Sequence, residues 1–153
     1  MNVAFLRRAL ALASLLIGTT LAHAQLRVEI SGVGTNQIPI AIASFAGESI
    51  APAQVSNIIK ADLARSGYFK IIDAGGAISE TSSINYSDWR SRGADALVVG
   101  SVQKLADGRY DVRYKLIDTI KSAQLSALSL AAQAQYARLT AHKIADDIYE
   151  KLI

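Results

Sequence analysis

The chain contains no cysteine. That excludes disulfides, thiolate zinc sites, cysteine nucleophiles and a lipid-modified amino-terminal cysteine. Histidine is nearly as scarce, with two in 153 residues. His23 falls in a leader-like stretch, so His142 alone is left for general-base or metal chemistry. A Ser-His-Asp hydrolase of the common type would need a Gly-x-Ser-x-Gly elbow, and there is none. No Gly-Lys-Ser/Thr phosphate loop exists either. Gly32-Val33-Gly34 is too short for a dinucleotide fingerprint. A disordered chain is excluded by composition, since 51% of residues are apolar and 19% charged.

A marked charge imbalance is also lacking. The formal net charge is +3 and the sequence pI about 9.3. Arg7 and Arg8 are the only charged residues of Met1–Ala24, and without them the net charge is +1. That leaves no basic stripe for nucleic acid. Met1–Ala24 itself has the parts of a secretory signal peptide in order. Arg7-Arg8 supplies the positive region, Ala9–Ile17 the apolar run, and Ala22-His23-Ala24 a small-residue cleavage site. The apolar run is shorter than the ~20 residues of a spanning helix. The arginine pair is compatible with twin-arginine export and equally with ordinary leader charge. No later stretch is long and apolar enough to span a bilayer. The expected product is a soluble exported chain, with the periplasm as its compartment.

The remaining length suits one domain with one core. Leu26-Arg27-Val28-Glu29-Ile30 alternates apolar and charged residues, the period of a half-buried strand. Ser31–Asn36 breaks it with turn chemistry. Ile38–Phe45 is a second apolar strand, with Pro39 confined to its start because it cannot donate a ladder hydrogen bond. Ala51–Ser66 reads as a helix with Pro52 in its first turn and one stripe of Val55, Ile58, Ile59 and Leu63. Lys60 and Asp62 point away from that stripe, and Gly67 stands where a left-handed cap is expected. Tyr68–Ile72 follows as a strand and Ala77–Asn85 as a polar loop. Tyr86–Arg92 is a short helix closed by Gly93.

Ala96–Val102 is the most apolar run after the leader, fit for a central strand buried on both faces. Asp107-Gly108 signals a hairpin. In the strand after it, Tyr110, Val112, Tyr114 and Leu116 face inward, and Arg109, Asp111, Arg113 and Lys115 outward. Thr119–Ser122 turns, Gln124–Ala132 is the next strand, and Tyr136–Ile153 is a final helix with Leu139, Ile144, Ile148 and Leu152 on one stripe. Helical crossovers join the early strands and hairpins join the late ones. The expected fold is α/β, a single domain with one mixed sheet, parallel crossovers first and antiparallel hairpins after, with packed helices.

Few residues carry chemistry. His142 and Asp146 are four apart on the last helix and share a face, which gives half of a metal site or, more simply, a local ion pair. Asp146-Asp147 diverge as helical neighbours and make a poor acid/base pair. Trp89, Tyr110 and Tyr114 could stack a ligand, but alternation favours core packing for the two tyrosines. No enzyme activity, cofactor or metal is expected. The Leu26–Ile30 strand has two open readings: it completes this domain's own sheet, or it adds to a partner's sheet edge.

LRVEISGVG followed by PIAIASF, then ADLARSGYFKIID, DWRSRGADALVVGSV with DGRYDVRYKLID, and HKIADDIYEKL resemble, in this order, the amino-terminal domain of the TolB family of the periplasmic Tol-Pal system. The resemblance implies a non-enzymatic adaptor linked to envelope integrity, outer-membrane constriction during cell division and import of macromolecules such as bacteriocins. It implies contact with the inner-membrane protein TolA through Leu26, Arg27, Val28, Glu29, Ile30, Ser31, Gly32, Val33 and Gly34. It also implies three parts: a signal peptide over 1–24, a TolA-binding segment over 25–37 and an α/β domain over 38–153. Family members continue into a β-propeller that binds the lipoprotein Pal. The sequence ends at Ile153, so that surface is expected to be missing and a monomer is expected. The other reading is a stand-alone periplasmic ligand-binding or envelope-assembly accessory domain.

Overall fold

The computed structural model describes residues 36–153. The expected strand Leu26–Ile30 and its Ser31–Gly34 break lie outside the described residues. Among the described residues, five strands form one sheet in the order β2-β1-β3-β4-β5. They are β1 (Ile38–Ile42), β2 (Phe69–Ile72), β3 (Ala96–Lys104), β4 (Tyr110–Asp118) and β5 (Ala123–Ala132). Three α-helices of the described residues accompany them: α1 (Val55–Ser66), α2 (Tyr86–Ser91) and α3 (Ala137–Leu152). β1 pairs in parallel with both β2 and β3, whereas β3–β4 and β4–β5 are antiparallel. This is the mixed sheet expected from crossovers early and hairpins late.

β3 is the central strand, and Ala96–Val102 are all buried. One sheet face carries Ile40, Ile42, Val98, Val112 and Leu116 against Val55, Ile59 and Leu63 of α1 and Ala141, Ile144 and Ile148 of α3. The alternate residues Ala41, Ala43, Leu97, Val99 and Ile117 meet Trp89 of α2 on the other face. That period of two is what places an apolar run on both sides of the sheet. Gly100 sits under the Phe45 ring. A methyl there would stand 2.7 Å from the ring and 2.4 Å from the Arg113 carbonyl oxygen, so only glycine lets β3 approach this closely.

Local chemistry moves two helix ends from their expected places. α1 starts at Val55 rather than Ala51, leaving Pro52 in the bend before it. Its residue before the first turn, Gln54, makes no side-chain cap. The orphan N–H of Ser56 instead donates to the Glu48 carboxylate at 2.9 Å, and the Ser56 hydroxyl donates to the same group at 2.6 Å. The Phe45 N–H joins them at 3.2 Å. A carboxylate eight residues upstream thus caps the helix start and favours its positive end. Gly67 ends the helix in the left-handed conformation at φ 81°, as expected. α3 begins at Ala137, after a 3-10 turn over Ala134–Tyr136.

Two faces also differ from the sequence reading. Leu139 leaves the α3 stripe and is 49% exposed, because the buried face runs through Ala137, Thr140, Ala141, Ile144, Ala145 and Ile148. Asp111 points to the side away from α1 and α3, yet it is buried. The Ser129 hydroxyl and the Arg113 guanidinium each donate to it at 2.8 Å, which satisfies the charge there.

Candidate functional site

The candidate partner-binding residues, Leu26 through Gly34, lie outside the described residues. The described chain begins just after them. The Ile38 N–H donates to the Tyr68 carbonyl at 2.9 Å, and the Gln37 side-chain amide donates to the Gly67 carbonyl at 3.0 Å. The start of β1 is thereby tied to the turn between α1 and β2. Tyr68 in turn meets Tyr149 of α3 edge to face, with ring centroids 5.7 Å apart.

His142 does not pair with Asp146. Its Nδ1 bonds Asp62, which lies on α1, so the two helices are joined by a side-chain pair across the sheet's covered face. Asp62 also takes the Arg65 guanidinium at 3.3 Å. Among the described residues no three potential ligands gather to hold a metal ion. The half-site read from sequence therefore has no other half there.

Asp146 and Asp147 diverge as expected. Asp147 turns inward to a small polar network that the sequence did not signal. It accepts the Tyr114 hydroxyl and, at 2.6 Å, the Ser126 hydroxyl. Lys151 approaches its other oxygen at 4.0 Å. Burial pushes the Tyr114 phenol up, and the Asp147 carboxylate adds to the effect by accepting the phenolic proton. A phenol held neutral in this way is a structural donor rather than a base or nucleophile. Tyr114 and Trp89 are both buried in the core, so neither presents a face to a ligand. The Arg92 guanidinium lies 4.6 Å from the Trp89 ring centroid and covers it.

Open clefts lie beside β5. One of about 370 Å³ runs over Arg113, Lys115 and Ser129 toward Glu80 and Thr81. A second of about 460 Å³ lies between the end of β5 and the first turns of α3, among Arg109, Leu130, Tyr136, Leu139 and Lys143.

The family model for the TolB amino-terminal domain matches residues 26–125. This chain belongs to the TolB family. The match starts at Leu26, runs through β1, β2, β3 and β4 and ends within β5. Among relatives, the Tol-Pal system protein TolB of Bordetella avium is 49% identical over 132 residues, covering 86% of this chain and 30% of the relative. The TolB of Nitrosomonas europaea is 50% identical over 135 residues, covering 88% and 32%. The chain thus spans about a third of the length of the curated relatives it matches. The crystal structure of TolB from Acinetobacter baumannii superposes with a TM-score of 0.66 at 30% identity, covering 81% of this chain and 30% of that one. Among the described residues no helix is long and apolar enough to cross a membrane.

Proposed function

We propose that this TolB-family domain is a non-enzymatic periplasmic adaptor of the Tol-Pal system, delivered by cleavage of Met1–Ala24. Its contact with TolA runs through Leu26–Gly34. Its cellular role is the one the system serves, in envelope integrity, constriction during division and macromolecule import. The observation that carries the reading is the family match, which begins at Leu26 and so includes this segment together with β1–β4. The chemistry of the described residues supports it. The polar networks at Glu48, Asp62–His142 and Tyr114–Asp147 each join elements of the fold.

The physical case for a strand donor is simple. An extended conformation would put Leu26, Val28 and Ile30 on one face as three apolar anchors. The backbone of such a segment can pair with a free sheet edge. Ordering it costs on the order of 1–2 kcal/mol per residue in backbone entropy, which holds the affinity to a reversible level. Calorimetric titration of the purified chain with the C-terminal domain of TolA tests the reading. Binding is expected, and deleting Leu26–Gly34 or introducing Val28→Asp is expected to abolish it with the melting temperature nearly unchanged. Full TolA affinity in the deletion variant, together with a large loss of stability, would overturn it.

A further inference from the structure

We propose that the outer edge of β5, together with the neighbouring face of α3, is a second docking site, which takes an extended acidic segment of a partner protein as a sixth strand. The two edges of this sheet are built differently. β2 has four residues and carries Lys70. β5 has ten, Ala-Gln-Leu-Ser-Ala-Leu-Ser-Leu-Ala-Ala, with no charge, proline or glycine. Short strands, lysine and proline are the usual means of blunting an edge, and β5 has none of them. Among the described residues, the only backbone partner of β5 is β4.

The surface beside that edge is shaped for side chains. Tyr136, Leu139, Thr140 and Lys143 fall three and four apart and line the cleft beside β5. Tyr136 and Leu139 are 48% and 49% exposed. They place two of the large exposed apolar side chains of the described residues along one groove between a strand edge and a helix, with Leu130 at its floor. That combination is the arrangement by which a strand added to a sheet is read: main-chain bonds give affinity, and alternate side chains enter the groove.

Charge selects the occupant. The cleft at the end of β5 is lined by Arg109 and Lys143 and by no carboxylate. Arg109 is held by Asp107 at 2.7 Å, while Lys143 makes no ion pair among the described residues. The β5 strand of a second copy carries no charge, so self-pairing would bring no carboxylate to Lys143. An incoming strand with an apolar residue over Leu139 and a glutamate or aspartate two positions on would meet Lys143 instead.

Nuclear magnetic resonance of the labelled chain tests this with three capped ten-residue peptides that alternate valine and threonine. They differ only in carrying glutamate, glutamine or lysine at two same-face positions. The glutamate peptide is expected to shift amides in β5 and in residues 136–143, and to bind at least tenfold more tightly than the lysine peptide. Lys143→Glu should reverse that order, and Leu139→Glu should weaken the glutamate peptide without unfolding an exposed site. Deleting Leu26–Gly34 should leave the binding unchanged, which separates this site from the TolA contact. Absence of any shift in β5 at millimolar glutamate peptide would overturn the proposal. Equal binding of the three peptides would also overturn it, as would β5 amides already protected by residues 26–34 or by a second copy.

Discussion

Glu48 shows how much one side chain can decide. It is buried, and its two oxygens answer three donors from Phe45 and Ser56. Glu48→Ala leaves those donors without partners, at a cost of about 1–3 kcal/mol. Urea denaturation should show that loss, with Glu48→Gln falling between the two. Tyr114 gives a pH-dependent counterpart. Its phenol is raised in the fold by burial and then by Asp147, while in the unfolded chain it ionises near pH ~10. A group raised in the folded state contributes stability that is whole below its unfolded value and is lost as pH climbs through the folded one. Melting temperature should therefore hold to about pH 9 and fall above ~10, where Tyr114→Phe should fall less steeply. The inward face of Tyr114 was legible from alternation, but its partners and the role of Glu48 were not. Ser126 and Asp147 lie 21 positions apart, and Asp62 and His142 lie 80 apart. Periodicity reports which face a residue takes on its own element, and it says nothing of what stands opposite.

At the scale of the element, α3 separates what alternation can and cannot locate. Ile144 and Ile148 are fully buried, as their spacing indicates, while Leu139 is five residues before Ile144 and falls off that face. Ile144→Ala should cost about 2–5 kcal/mol, because it opens a cavity between α3 and the sheet. Leu139→Ala should stay within about 0.5 kcal/mol, a contrast that denaturant titration of the two variants will resolve. The strands were easier to read. β3 is an unbroken apolar run because both its faces are covered, and β4 alternates because one face turns toward solvent along Arg113. The start of α1 was misplaced because Pro52 suits both a first helical turn and the bend before one. The cap that sets the true start comes from Glu48, outside any local capping pattern.

For the whole molecule, the two-sided core implies one cooperative unit. Both helix layers rest on the same central strand, so neither can open without exposing β3. Differential scanning calorimetry of the purified chain is expected to give a single transition, and a transition in two steps would contradict it. The sheet order has a further consequence, in time rather than in space. A polypeptide that emerges from its amino terminus, from the ribosome or through a pore, presents β1 long before β3. Ile42 cannot meet Val98 until more than fifty further residues have emerged. The hairpins β3–β4 and β4–β5, by contrast, close over short turns as soon as they appear. Pairings distant in sequence form slowly, because the loop must close before the contact stabilises it. The β3-facing edge of β1 is therefore an edge in waiting, and the arrival of β3 closes the sheet along it.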